Sequence, residues 1–87
     1  MKNAERFKKC ILLTWEEFVV ICENILKKPD DKLYIELSLD GICINYEDST
    51  VTDDEVCSKL ASYFGVDKVT SFHADDFENA GVWIAYE

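Results

Sequence analysis

The sequence predicts an α+β domain of order αββαββ, with two helices packed on one four-stranded antiparallel sheet. Three observations carry this: two matching helix-start motifs, two strictly alternating apolar runs around Asp40-Gly41, and a looser pair of runs near the C-terminus. The 87 residues make a single domain, 1–87, at the small end of chains that fold alone. About half of them are apolar and eleven are aromatic, enough for a real core and against disorder.

Residues 1–13 form a basic segment that reads two ways. Phe7, Cys10 and Ile11 fit a short helix, whereas Cys10-Ile11-Leu12-Leu13 fits an edge strand. Thr14 and Glu17 then make a capping box, in which the Thr14 side chain accepts from the Glu17 N–H while the Glu17 carboxylate reaches back to Thr14. Leu13 and Phe18 occupy the flanking staple positions. A helix over Trp15–Lys27 follows, burying Phe18, Ile21, Cys22 and Ile25, with Lys27 and Lys28 at its end and Pro29 as the stop.

Leu33–Leu39 and Ile42–Glu47 alternate apolar with polar residues about Asp40-Gly41, a preferred two-residue turn. Counting outward from that turn pairs Leu39 with Ile42, Leu37 with Ile44 and Ile35 with Tyr46 on one core face. Tyr34, Glu36, Ser38, Cys43, Asn45 and Glu47 share the outer face. Thr52 with Glu55, and Val51 with Val56, repeat the box and the staple, and a helix over Asp53–Phe64 follows. It buries Val56, Cys57, Leu60, Ala61 and Phe64, and Gly65 with Val66 supplies its C-cap. Val69–Ala74, an acidic loop from Asp75 to Gly81, and Val82–Tyr86 make the second hairpin. In that last strand Val82, Ile84 and Tyr86 face one way and Trp83 and Ala85 the other. The matching caps suggest an old duplication.

Charge is sharply divided. Residues 1–32 hold Lys2, Arg6, Lys8, Lys9, Lys27, Lys28 and Lys32 against six acids, a net of +1; residues 33–87 hold twelve acids against Lys59 and Lys68, a net of −10. The two sum to the formal −9 of the chain. Such a field repels nucleic acid and membrane surfaces and attracts basic clefts. The one basic cluster, Lys2 to Lys9, reads as a solubilising tail. No apolar run approaches a membrane span, and the basic N-terminal residues lack a signal-peptide core.

The remaining chemistry is sparse. Cys10, Cys22, Cys43 and Cys57 stand 12, 21 and 14 residues apart, with no Cys-x-x-Cys pair, and His73 is the lone histidine. That pattern fits reduced, buried thiols in a cytoplasmic protein rather than disulfides or zinc. Cys57 or Ser71 with His73 and Asp75 is the one nucleophile–base set that can be assembled, and nothing like a nucleophile elbow supports it. Asp75–Gly81 has oxygen ligands but lacks calcium-loop spacing. The expectation is therefore no enzyme, no cofactor and no metal.

What remains is the acidic surface: Tyr34, Glu36 and Glu47 on the outer sheet face, with Asp48, Asp67, Asp75, Asp76 and Glu78 on the rims. Strand carboxylates two residues apart lie roughly 6.7 Å from each other, on the scale of phosphate spacing in a nucleic-acid strand. Such an array can occupy a Lys/Arg groove built for nucleic acid, with the aromatic residues as anchors.

In size, acidity, Cys-rich but motif-free composition and α+β pattern, the chain resembles the small inhibitors encoded by phages and mobile elements, of which anti-CRISPR proteins are the best-known group. The resemblance implies a protein that uses an acidic surface to block the DNA- or PAM-binding groove of a Cas effector. These inhibitors share no motif, so the eight residues above are chosen from charge and pattern alone. A different class remains open: a small accessory or immunity-type domain, monomer or homodimer, acting through an apolar face that includes Trp83 or through a strand edge.

Overall fold

A computed structural model of the chain describes residues 9–74 and 81–87. The elements are β1 (Lys9–Thr14), α1 (Trp15–Ile25), β2 (Leu33–Ser38), β3 (Gly41–Tyr46), α2 (Asp53–Phe64), β4 (Val69–Ala74) and β5 (Gly81–Tyr86). The α+β class and both helices follow the sequence, but the sheet does not. Instead of four strands in one sheet there are two antiparallel units: three strands in the order β1-β5-β4, and the separate hairpin β2-β3.

The first strand is the edge-strand alternative for the N-terminal segment. β1 pairs with β5 from Lys9 opposite Tyr86 to Thr14 opposite Gly81, placing β5 at the centre of its sheet. This strand turns the expected αββαββ into βαββαββ. β4 pairs with β5 on the other side, with a register shift between Val69 and Ser71 where the Thr70 hydroxyl donates to the Ala85 carbonyl (3.2 Å). Such a bulge bends its strand, and with the bend in β4 the neighbouring β3 comes close without completing a ladder.

The first hairpin keeps its expected faces but not its register. Ser38 pairs with Gly41, Leu37 with Ile42, Ile35 with Ile44 and Leu33 with Tyr46, so Leu39 and Asp40 form the turn. Both keep negative φ, and Gly41 supplies the positive φ (120°) that returns the chain to its partner strand. The Ser38 hydroxyl donates to the Gly41 carbonyl (3.1 Å) and accepts from the Asp40 N–H (3.2 Å), closing the turn one residue earlier than expected and slipping the cross-strand register by two. Because side chains alternate with a period of two, this slip changes every cross-strand partner and moves no side chain to the other face. It leaves Leu39 90 % exposed at the tip.

Both helix starts form as the motifs require, one more completely than the other. At α1 the box is reciprocal: the Glu17 N–H donates to Thr14 Oγ1 (3.0 Å), and the Thr14 N–H to Glu17 Oε1 (2.9 Å). At α2 the Thr52 half is in place, accepting from the Glu55 N–H (3.1 Å). Gly65 caps α2 in the left-handed region (φ 71°), and the Val66 N–H reaches back to the Ala61 carbonyl (3.0 Å). α1 stops at Ile25, two residues short of expectation, with Leu26 as its cap and Lys27 and Lys28 beyond the end. At that end the buried Tyr46 hydroxyl donates to the Leu26 carbonyl at 2.6 Å, taking an acceptor that the helix leaves unpaired.

The core lies between the helices and one face of the strands. Phe18, Leu60, Val82 and Ile84 are fully buried there with Cys22, Leu26 and Val56, each large side chain worth about 1.5–3 kcal/mol on burial. Ile44 and Tyr46 bring the hairpin into the same cluster. Phe18 stacks at 5.9 Å between Trp15 of its own helix and Phe72 of β4, tying α1 to the sheet. The stripe expected on α1 is buried, with Ile25 only half so; on α2, Cys57 and Phe64 are half-buried. No buried polar side chain among the described residues lacks a hydrogen-bond partner.

Two outcomes follow. Tyr46→Phe keeps the ring and strands the Leu26 carbonyl, so urea unfolding should show a loss of about 1–3 kcal/mol. Burial, aided by Glu23, pushes the Cys22 thiol from its ordinary 9.0 up to about 12. The unfolded chain then loses this proton first, so the Cys22 contribution is complete below pH 9 and is lost as pH rises from 9 toward 12. Denaturation midpoints followed against pH should show that alkaline decline, and Cys22→Ala should flatten it.

Candidate functional site: an acidic end around Tyr46

The register of the first hairpin decides which acids meet. With Tyr34 opposite Asn45 and Glu36 opposite Cys43, Glu36 stands four residues along the strands and one strand across from Glu47. That is a separation of roughly 14 Å. In the expected register they would be diagonal neighbours, roughly 7–8 Å apart. The outer sheet face therefore does not gather its two carboxylates. Lys32 lies level with Glu47, and its Nζ sits 5.5 Å from the Tyr34 ring centroid, which sets a cation among the residues expected to form an acidic face.

A denser group forms where β3 ends and α2 begins. The Glu47 N–H donates to the Lys32 carbonyl (2.9 Å) and to Asp31 Oδ1 (3.1 Å), fixing Asp31 beside the strand end. The Tyr46 N–H donates to the Ser49 carbonyl (2.7 Å) and folds the chain back through Asp48. Asn45 bridges to Thr50, and three residues on α2 opens with Asp53, Asp54 and Glu55, suited to the positive end of its dipole. Asp31, Glu47, Asp48, Asp53, Asp54 and Glu55 thus share one end of the molecule. Glu47, Asp48, Asp53 and Asp54 are exposed there, while Asp31 and Glu55 are half-buried.

Tyr46 records the resulting field. Its phenol is held above the usual tyrosine range first by burial, then by the Glu55 and Asp31 carboxylates. Lys28 answers part of this charge, with its Nζ 4.1 Å from the centroid of the Tyr46 ring. Asp67 is exposed beyond the other end of α2. A groove of about 400 Å³ runs along α2 from Asp54 past Cys57, Ser58, Ala61 and Ser62 to Asp67 and Lys68. Of the expected site residues, Glu47 and Asp48 belong to this acidic end and Asp67 closes its groove. Tyr34 and Glu36 stand apart on the hairpin, and Asp75, Asp76 and Glu78 lie outside the described residues.

Sequence reasoning passed over Asp31, Asp53, Asp54 and Glu55. Asp53-Asp54-Glu55 was fully accounted for as a helix start, and Asp31 precedes its strand. The signal that finds Asp31 is the observed register, which sets residues 31 and 32 beside residues 47 and 48.

The nucleophile–base candidates are not brought together. Ser71 and His73 are exposed on the sheet face opposite the helices, whereas Cys57 is half-buried on α2. Burial, with Asp53 and Asp54, pushes the Cys57 thiol up, the reverse of what an activated nucleophile needs. Among the described residues no group of His, Cys, Asp and Glu side chains is placed to hold a metal ion, and no helix is long and apolar enough to cross a membrane. Compared with known protein families, curated proteins and solved structures, the chain has no match.

Tyr46 offers a direct readout of the acidic end. In Glu55→Gln one negative charge is removed, phenolate formation becomes easier, and the Tyr46 titration should move down while remaining above that of a free tyrosine. Ultraviolet difference absorbance against pH measures it. An unchanged titration would separate Glu55 from this end.

Proposed function

We propose that the protein is a non-enzymatic binding protein that sets its acidic end into a basic groove of a partner, a groove of the kind built for nucleic acid. The concrete form is an anti-CRISPR-like inhibitor of a Cas effector, the class suggested by its size, acidity and motif-free α+β composition. One observation carries the reading: Glu47, Asp48, Asp53 and Asp54 all remain exposed at one end, where Asp31 and Glu55 deepen the same field. Solubility would be served as well by acids scattered over the surface, and gathering them is electrostatically unfavourable unless a cationic surface meets them. Tyr34 and Glu36 extend the contact along the hairpin, and Asp67 extends it along α2. Asp75, Asp76 and Glu78 complete the set expected from charge.

A second reading is favoured by a different observation. Leu12, Val20 and Tyr63 are 59, 55 and 52 % exposed, more apolar surface than an acidic mimic requires. An accessory or immunity-type interaction domain would use that surface instead. Salt separates the two, since charge-driven contacts weaken steeply with ionic strength and apolar ones do not.

The test is capture of host proteins on the tagged chain, eluted by a salt step and identified by mass spectrometry. The expected result is a nucleic-acid-binding enzyme released by salt. Glu47→Lys with Asp48→Lys, and separately Asp75→Lys with Asp76→Lys, should weaken that contact by more than tenfold, about 2 kcal/mol or more, without unfolding the chain. Full affinity in both double variants, or a partner that stays bound through high salt, overturns the reading.

A further inference from the structure

β2 has a strand on one side only: it pairs with β3, and among the described residues no strand lies along its other side. The register fixes which backbone groups that side presents. The Glu47 N–H donates to the Lys32 carbonyl (2.9 Å), so Lys32 turns its backbone toward β3. By the alternation of an antiparallel ladder, Tyr34, Glu36 and Ser38 do the same, and Leu33, Ile35 and Leu37 turn theirs outward. Tyr46, opposite Leu33, fixes the same phase, because its N–H points away from β2 to the Ser49 carbonyl (2.7 Å). Among the described residues no hydrogen bond takes up the backbone N–H or C=O of Leu33, Ile35 or Leu37.

The side chains along this edge are as incompletely covered as its backbone. Leu33, Ile35 and Leu37 face the core yet stay only half-buried. On the outer face Lys32, Tyr34 and Glu36 are all exposed, with the Lys32 Nζ 5.5 Å from the Tyr34 ring centroid. Charges in the middle of an edge keep unrelated strands away. They admit a strand whose own charges are opposite at the same places.

The geometry points to a second copy of this chain as that strand, joined antiparallel through β2 into a four-stranded sheet β3-β2-β2-β3. Identical strands keep matching faces only when the two-fold axis passes through a residue. An axis at Tyr34 sets Leu33 against the second copy's Ile35, and Ile35 against the second copy's Leu33. Each of these pairs exchanges the outward N–H and C=O groups that the single chain leaves open. On the outer face the same axis sets Glu36 against the second copy's Lys32, and Lys32 against the second copy's Glu36. Tyr34 meets the second copy's Tyr34 on the axis, at a non-hydrogen-bonded position where cross-strand side chains come closest. An axis at Ile35 would set Glu36 against Tyr34 instead, and an axis at Glu36 would set that carboxylate against itself. The charges therefore select both the occupant and the register. Glu47, Asp48, Asp53 and Asp54 lie outside the paired stretch, and Tyr34 and Glu36 keep their side chains on the outer face.

Sedimentation analysis tests this with the chain alone, so its failure leaves the acidic-end reading untouched. Pairing over Lys32–Glu36 makes a small interface of the weak, transient class. The mass should therefore climb from 10.0 kDa toward twice that value as the chain is concentrated from about 1 μM to about 1 mM. Glu36→Lys and, separately, Lys32→Glu set like charges face to face, and each should raise the dissociation constant about tenfold or more. An equimolar mixture of the two variants restores opposite charges at both outer pairs and should dimerise again. So should the doubly reversed chain, Lys32→Glu with Glu36→Lys. A variant that had merely lost its fold would show neither rescue. A wild-type mass of 10.0 kDa at all concentrations overturns the assignment, as does a dimer indifferent to both single reversals or a mixture that stays monomeric.

Discussion

The hydrogen bond from Tyr46 to Leu26 is the contact on which the arrangement of this molecule turns. The hairpin β2-β3 has no ladder to the other strands, so its position is set by what it buries and by this one directional link. The bond satisfies a carbonyl at the end of α1, where a helix leaves its last acceptors unpaired. It does so from a residue twenty positions away, which ties the end of the helix to the seating of a strand. Ile44 and Tyr46 are the hairpin's two buried side chains, and they sit on the strand that leads into the acidic turn. Fold and candidate site therefore share an anchor.

The acids of that end serve two purposes at once. Asp53, Asp54 and Glu55 complement the dipole of α2, and Asp31 holds the backbone N–H of Glu47. Each has a local reason to be where it is. Their sum is a field that none of those reasons requires, and the Glu55 and Asp31 carboxylates add to burial, the larger cause, in holding the Tyr46 phenol up. Local stability explains the individual positions; a cationic partner explains the concentration.

The sequence was most legible where short-range chemistry decides. Thr14 with Glu17, Thr52 with Glu55, and Gly65 with Val66 each fix a helix end within a few residues, and the boundaries of α2 came out as expected. Alternation likewise gave the right faces for Tyr34, Glu36, Ile44 and Tyr46. It could not give the pairing, because Ser38 and Gly41 close the turn one way while Asp40-Gly41 suggests another, and both preserve sidedness. That single slip separated Glu36 from Glu47 and drew in Asp31, so a local turn choice rewrote the candidate site. The division into two sheets was beyond reach as well. It goes with a bulge at Thr70 and with β5 pairing with β1, and neither leaves a periodic trace.

The pairing of β1 with β5 joins residue 9 to residue 86, so the first of the described strands waits for the last of them. On the ribosome, α1, the hairpin and α2 can all acquire their local structure while β1 is still open along both edges. The β1-β5 ladder closes only when Gly81–Tyr86 emerges, and until then the Cys-Ile-Leu-Leu run lacks its strand partner. A truncation that removes only the final strand would therefore leave most secondary structure able to form and would deny the first strand its only neighbour among the described residues.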